Sequence, residues 1–159
     1  MRKYCLLLLF TLLSIVSYAQ HMTFMGIPIN GNIDTFTAKL KGKGLKISKM
    51  NSSIGAGLRA FCGKYYGGYR EPILVAYSPK SKTVFSVMVV FDGEFYYEDL
   101  KGNLSKKYII SSDGEDGAIY ETDFGKVALI RPTDEGNVML IFTDAANNEK
   151  ADEERTSDL

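Results

Sequence analysis

The chain has 159 residues, of which 45% are hydrophobic and 24% charged, and its 19 basic residues balance its 19 acidic ones. That composition excludes a disordered chain and a strongly basic nucleic-acid binder, so no nucleic-acid partner is expected. One histidine, no tryptophan and two cysteines leave few donors for zinc, haem or iron–sulfur sites, so neither a metal nor a cofactor is expected and histidine-based catalysis lacks its parts.

Residues 1–19 read as a secretory signal peptide: Arg2 and Lys3 precede an apolar run from Cys5 to Val16, and Ser17-Tyr18-Ala19 stands before Gln20. A run of twelve residues falls short of the roughly twenty a spanning helix needs, so no transmembrane anchor is expected after cleavage. The expected location is periplasmic or secreted. Cys5 leaves with the leader, which leaves Cys62 without an internal disulfide partner. Its apolar neighbours Leu58, Ala60 and Phe61 predict a buried, inert thiol.

A short strand is expected from Thr23 to Pro28. From Asn32 to Gly44 the pattern is helical: Ile33, Phe36 and Leu40 form one stripe, Asp34 lies in the first turn, and Lys39, Lys41 and Lys43 lie near the end. A second amphipathic helix is expected over about Glu94 to Tyr108, with Tyr97, Leu100, Leu104 and Tyr108 on its apolar face. The remaining periodic segments read as strands: Leu45–Lys49, Leu58–Tyr65, Ile73–Tyr77, Thr83–Phe91, Gly117–Glu121, Lys126–Arg131 and Val138–Thr143. Turn residues between them predict an antiparallel meander. In Thr83–Phe91 both alternating sets are mostly apolar, which places that strand at the centre of the sheet.

The two helical stripes share steps of three, four and four. Ala76-Tyr77-Ser78-Pro79 is echoed by Leu129-Ile130-Arg131-Pro132. Tandem helix-plus-meander repeats over 30–92 and 93–143 are one reading; the steps that any amphipathic helix shares are the other. The expected organisation is a single α+β domain over 20–143, an antiparallel sheet with two helices packed on it. Residues 144–159, with six acids and two bases, are expected to be a frayed helix or flexible acidic tail.

The leader ending in Ala-Gln, the segment Phe24-Met25-Gly26-Ile27-Pro28-Ile29, and Pro79-Lys80-Ser81-Lys82-Thr83-Val84 before a valine-rich strand resemble small exported proteins of Bacteroidetes type. The tandem order of helix and antiparallel sheet is similar to the β-lactamase-inhibitor-protein-like fold, found in secreted inhibitors and small envelope-assembly lipoproteins. The resemblance implies fold more than function, because its motifs are turns and strands. The paired disulfides of the inhibitor and the lipid anchor of the assembly proteins are both missing here.

Gly55-Ala56-Gly57-Leu58-Arg59-Ala60 matches a dinucleotide loop formally, but a strand-like segment follows it where a helix is required, so it reads as a turn. His21 has no acid or second histidine near it in sequence, and no serine, lysine-assisted or zinc hydrolase motif occurs. The acids Asp113, Glu115, Asp116, Glu121 and Asp123 read as a solvated loop, or as oxygen ligands for calcium in an order that does not fit the twelve-residue calcium loop. Thr35 to Arg70 holds eight basic residues and no acid. Within it Lys64, Tyr65, Tyr66, Tyr69 and Arg70 frame a hairpin tip, the candidate binding site for a protein or envelope component. No catalytic residue is assigned. A binding or envelope-associated module follows, with a small exported hydrolase using a carboxylate site as the alternative.

Overall fold

The computed structural model describes residues 21–132 and 136–156; the leader expected over 1–19 lies outside the described residues. Strands β1 (Thr23–Phe24) and β2 (Ile27–Pro28) form a small hairpin. Asn32 then caps helix α1 (Ile33–Gly42), its side chain accepting the Asp34 N–H at 2.8 Å. This supplies an acceptor for one of the orphan donors at a helix start.

Strand β3 (Lys46–Ile47), a 3-10 turn over Lys49–Ser52, and strands β4 (Leu58–Tyr65), β5 (Gly68–Tyr77) and β6 (Val84–Asp92) follow α1. Helix α2 (Tyr96–Ser105) leads into β7 (Ile109–Gly114), β8 (Gly117–Thr122), β9 (Gly125–Ile130) and β10 (Asn137–Asp144), and helix α3 covers Ala145–Thr156. The fold is α+β.

Strands β3 to β10 make one eight-stranded sheet in the order β3-β4-β5-β6-β10-β9-β8-β7, antiparallel throughout. A helix followed by four strands thus occurs twice, and the two meanders meet at their last strands. That seam pairs Asn137 with Asp92 and continues to Thr143 with Ser86. Strand β6, apolar on both faces, is central because β5 and β10 flank it.

Alternation divides the sheet into two faces. Phe61, Ile73, Val87, Val89, Phe91, Tyr120, Val127, Leu129, Leu140 and Phe142 point to the side on which α1, α2 and the β1–β2 hairpin lie, and form one core with Phe24, Phe36, Leu40, Leu100 and Leu104. Leu40 is fully enclosed and Leu104 nearly so. Gly117 is required where it stands: at φ 143° an added Cβ would lie 2.1 Å from the Leu129 carbonyl oxygen.

Two expectations are corrected. The acidic segment after Tyr108 is not a loop, because Ile109–Gly114 pairs with β8 and leaves Glu115 and Asp116 as a two-residue hairpin turn. Sequence alternation fails there because all six residues of this terminal strand are exposed. Second, Ala145–Thr156 is an ordered helix. Its composition is polar, yet Ala151 is buried, Asn147 donates to the Ile29 carbonyl at 3.0 Å, and the Ser78 hydroxyl donates to Glu154. Ser81 N–H also donates to Glu154 at 3.4 Å, and these two bonds, Ser78 first, lower the pKa of the Glu154 carboxyl. Tertiary contacts along one stripe order what composition alone leaves frayed.

Candidate functional site: the open face of the sheet

The five residues of the expected tyrosine hairpin do not share a surface. Tyr65 faces the core, its ring centroid 5.0 Å from Phe24 and 6.3 Å from Phe91. Burial, then the phenols of Tyr108 and Tyr66, raise its own phenol from 10.0 to about 12. Arg70 is also buried, with its guanidinium carbon 4.6 Å from the ring centroids of both Phe91 and Tyr96. It donates to the carbonyls of Tyr69 at 3.0 Å and Tyr66 at 3.3 Å. Aromatic faces and carbonyl dipoles therefore stabilise this cation, and no carboxylate pairs with it among the described residues.

Tyr66 occupies the turn at φ 50°, followed by Gly67 at φ 75°, the two left-handed positions of a tight hairpin turn. Its hydroxyl donates to Asp99 at 2.9 Å and accepts from Asn103, which ties the hairpin to α2. Burial and that acid raise its phenol. Lys64 and Tyr69 pair across β4 and β5 and point to the opposite face. Tyr69 is 61% exposed beside Cys62, whose sulfur raises the Tyr69 phenol. Cys62 is half-buried opposite the irregularity at Glu71-Pro72 of β5, more accessible than its apolar neighbours predict.

Apart from α3 at one end, the face carrying Lys64 and Tyr69 has no helix laid across it among the described residues. Two apolar rows cross it. Leu74, Met88, Ile141, Ala128 and Ile119 stand in register from β5 to β8, and Val90, Met139 and Ile130 form a second row beside them. All but Ile119 are half-buried, and Ile119 is 38% exposed. Side chains packed against their neighbours on a sheet yet open above are the composition of a contact surface.

Helix α3 closes one end of this face. Between it and Glu121, Lys126 and Thr143 runs a groove of about 790 Å³, whose helical wall carries Glu149, Asp152 and Glu153. Lys126 answers Glu121 at 3.5 Å, so acids outnumber bases along the groove. At the far corner Lys46 and Lys64 stand on the same face, near Cys62 and Tyr69.

His21 lies with Nδ1 3.0 Å from Asp144 Oδ2. Asp144 is enclosed and also accepts the N–H groups of Met22 and Asn147, so its oxygens are committed to structure. No group of three metal-ligating side chains converges among the described residues. No described helix is long and apolar enough to cross a membrane. The alternation of 84–91 contained the central part of the open face, but its width depends on register between strands far apart in sequence. No protein-family model, no curated protein and no solved structure matches the chain.

Proposed function

We propose that this chain is an exported, non-enzymatic module that binds a protein partner on the open face of its sheet. The observation that carries the reading is the pair of cross-sheet apolar rows, Leu74 to Ile119 and Val90 to Ile130, on a face that described helices cover only at its α3 end. A partner fitting it presents an apolar ridge, with basic side chains at the end that meets the α3 groove. Charge complementarity there would steer association, while burial of the rows would slow dissociation. The leader-like residues 1–19 support export, and the twice-occurring order of one helix and four antiparallel strands supports the resemblance to the β-lactamase-inhibitor-protein-like fold.

Lys64 and Tyr69 extend this surface, whereas Tyr65, Tyr66 and Arg70 support it from the other side. The test is capture from envelope extract with the wild-type protein, Met88→Lys and Ile141→Lys, each checked for an unchanged urea midpoint. A partner retained by the wild type and lost by both folded variants supports the reading. Equal retention by all three places the binding surface elsewhere.

A further inference from the structure

The two edges of the sheet are built differently. At one, β3 has only two residues, one of them a lysine, and the 3-10 turn of Lys49–Ser52 folds beside it. At the other, β7 is six residues long and bonded on one side only, to β8. Every residue of β7 is exposed, with Ile109 at 81% and Ile110 at 40%. Proline and lysine, the usual guards of an edge, are absent from Ile109–Gly114; a bulge between Ile110 and Ser112 bends the strand without charging it.

Charge along this edge is ordered. Lys106 and Lys107 precede the strand, Ile109 to Ser112 are neutral, and Asp113, Glu115 and Asp116 follow. All are exposed. Asp113 is answered within the chain by Lys101 at 2.6 Å, and Arg131 donates to the Gly114 carbonyl at 3.3 Å. Glu115 and Asp116 make no ion pair among the described residues, and neither does Lys106; Lys107 lies over the Tyr108 ring. A strand basic at its start and acidic at its end is complementary to itself when the second copy runs antiparallel. Run parallel, it meets like charge with like.

We propose that two copies of this chain pair through β7 about a two-fold axis at Ser111 and Ser112, joining their sheets into one. Lys106 and Lys107 of each copy then reach Glu115 and Asp116 of the other, and the exposed isoleucines are covered at the junction. Such an isologous contact closes after two copies, so it ends in a dimer and not a fibre. The open faces of both copies become one surface, but the dimer is independent of what that surface binds: mass reads the first, partner capture the second.

The experiment is sedimentation equilibrium on the purified protein, on the double reversals Lys106→Glu/Lys107→Glu and Glu115→Lys/Asp116→Lys, and on their equimolar mixture. The wild type is expected as a reversible dimer that weakens with salt. Each reversal turns attraction into repulsion at both ends and is expected to raise the dissociation constant by about tenfold or more. Mixing the two reversals is expected to restore dimers, because an all-acidic edge then meets an all-basic one. A wild type that stays monomeric at every concentration overturns the proposal. So does a dimer of equal strength in both reversals, a mixture that fails to dimerise, or a monomer that instead accepts a foreign extended peptide along β7.

Discussion

Asp144 accepts the backbone N–H of Met22 at 3.0 Å, and this bond fastens the start of the described chain to the end of β10. The same carboxylate accepts from Asn147 N–H at 3.0 Å in the first turn of α3, so one side chain joins both terminal segments to the sheet.

Removing that carboxylate leaves a buried N–H without an acceptor and a helix without its N-terminal acceptor. Asp144→Ala is therefore expected to cost about 2–4 kcal/mol. Asp144→Asn, which keeps one acceptor oxygen, should cost less. Urea unfolding measures the first quantity. Amide exchange at Met22 and Phe24 should rise in the alanine variant well before the central strands open; an unchanged exchange pattern would mean that the hairpin is held by its apolar contacts alone.

Arg70 offers a second prediction. It gathers two aromatic faces and two carbonyls around one planar cation, and a lysine in its place has the charge without the plane. Arg70→Ala is expected to destabilise by about 2–4 kcal/mol, with Arg70→Lys recovering less than half of that. Gly68 must stay small for the same reason, since an added Cβ would stand 2.7 Å from Arg70 Nη1. Equal urea midpoints for lysine and arginine at position 70 would show that charge alone suffices.

Tyr65 predicts an alkaline response. Its phenol is raised to about 12 in the folded protein against 10.0 ordinarily, with burial as the first cause. The unfolded chain therefore loses this proton first, and stability from the neutral phenol, fully present below pH 10, declines between pH 10 and about 12. Tyr65→Phe should flatten that decline. Tyr69 is raised as well, so absorbance titration of tyrosinate should show one late-titrating phenol fewer in Tyr65→Phe than in the wild type; an unchanged number of late phenols would assign the shift to another tyrosine.

Both helices on the core face were legible because Ile33, Phe36, Leu40 and Tyr97, Leu100, Leu104 repeat at helical spacing, and because Asp34 and Lys39, Lys41 and Lys43 mark the two ends of the first. The central position of β6 followed from its two apolar faces. Strand β7 was hidden by exposure: with neither face buried, nothing selects which residues are apolar. The tyrosine hairpin illustrates a different limit. Lys64 and Arg70 flank the same tip, but Lys64 pairs with Tyr69, and the pleat sends that pair to solvent and the next residue, Arg70, under Phe91 and Tyr96. Neighbours in sequence therefore part company in the fold. The apolar rows were invisible for the reverse reason, since their members are brought together by register between strands remote along the chain.

The seam between β6 and β10 has a kinetic consequence. Within each meander every pairing closes a short loop, whereas the seam joins residues 45 to 57 positions apart. The entropic cost of loop closure therefore concentrates at the seam, and its formation is the step that topology makes slow. Until it forms, two strands with apolar residues on both faces stand as unpaired edges. Refolding yield should accordingly fall as protein concentration rises, because during that interval the edge of another chain competes with the correct one a few dozen residues away.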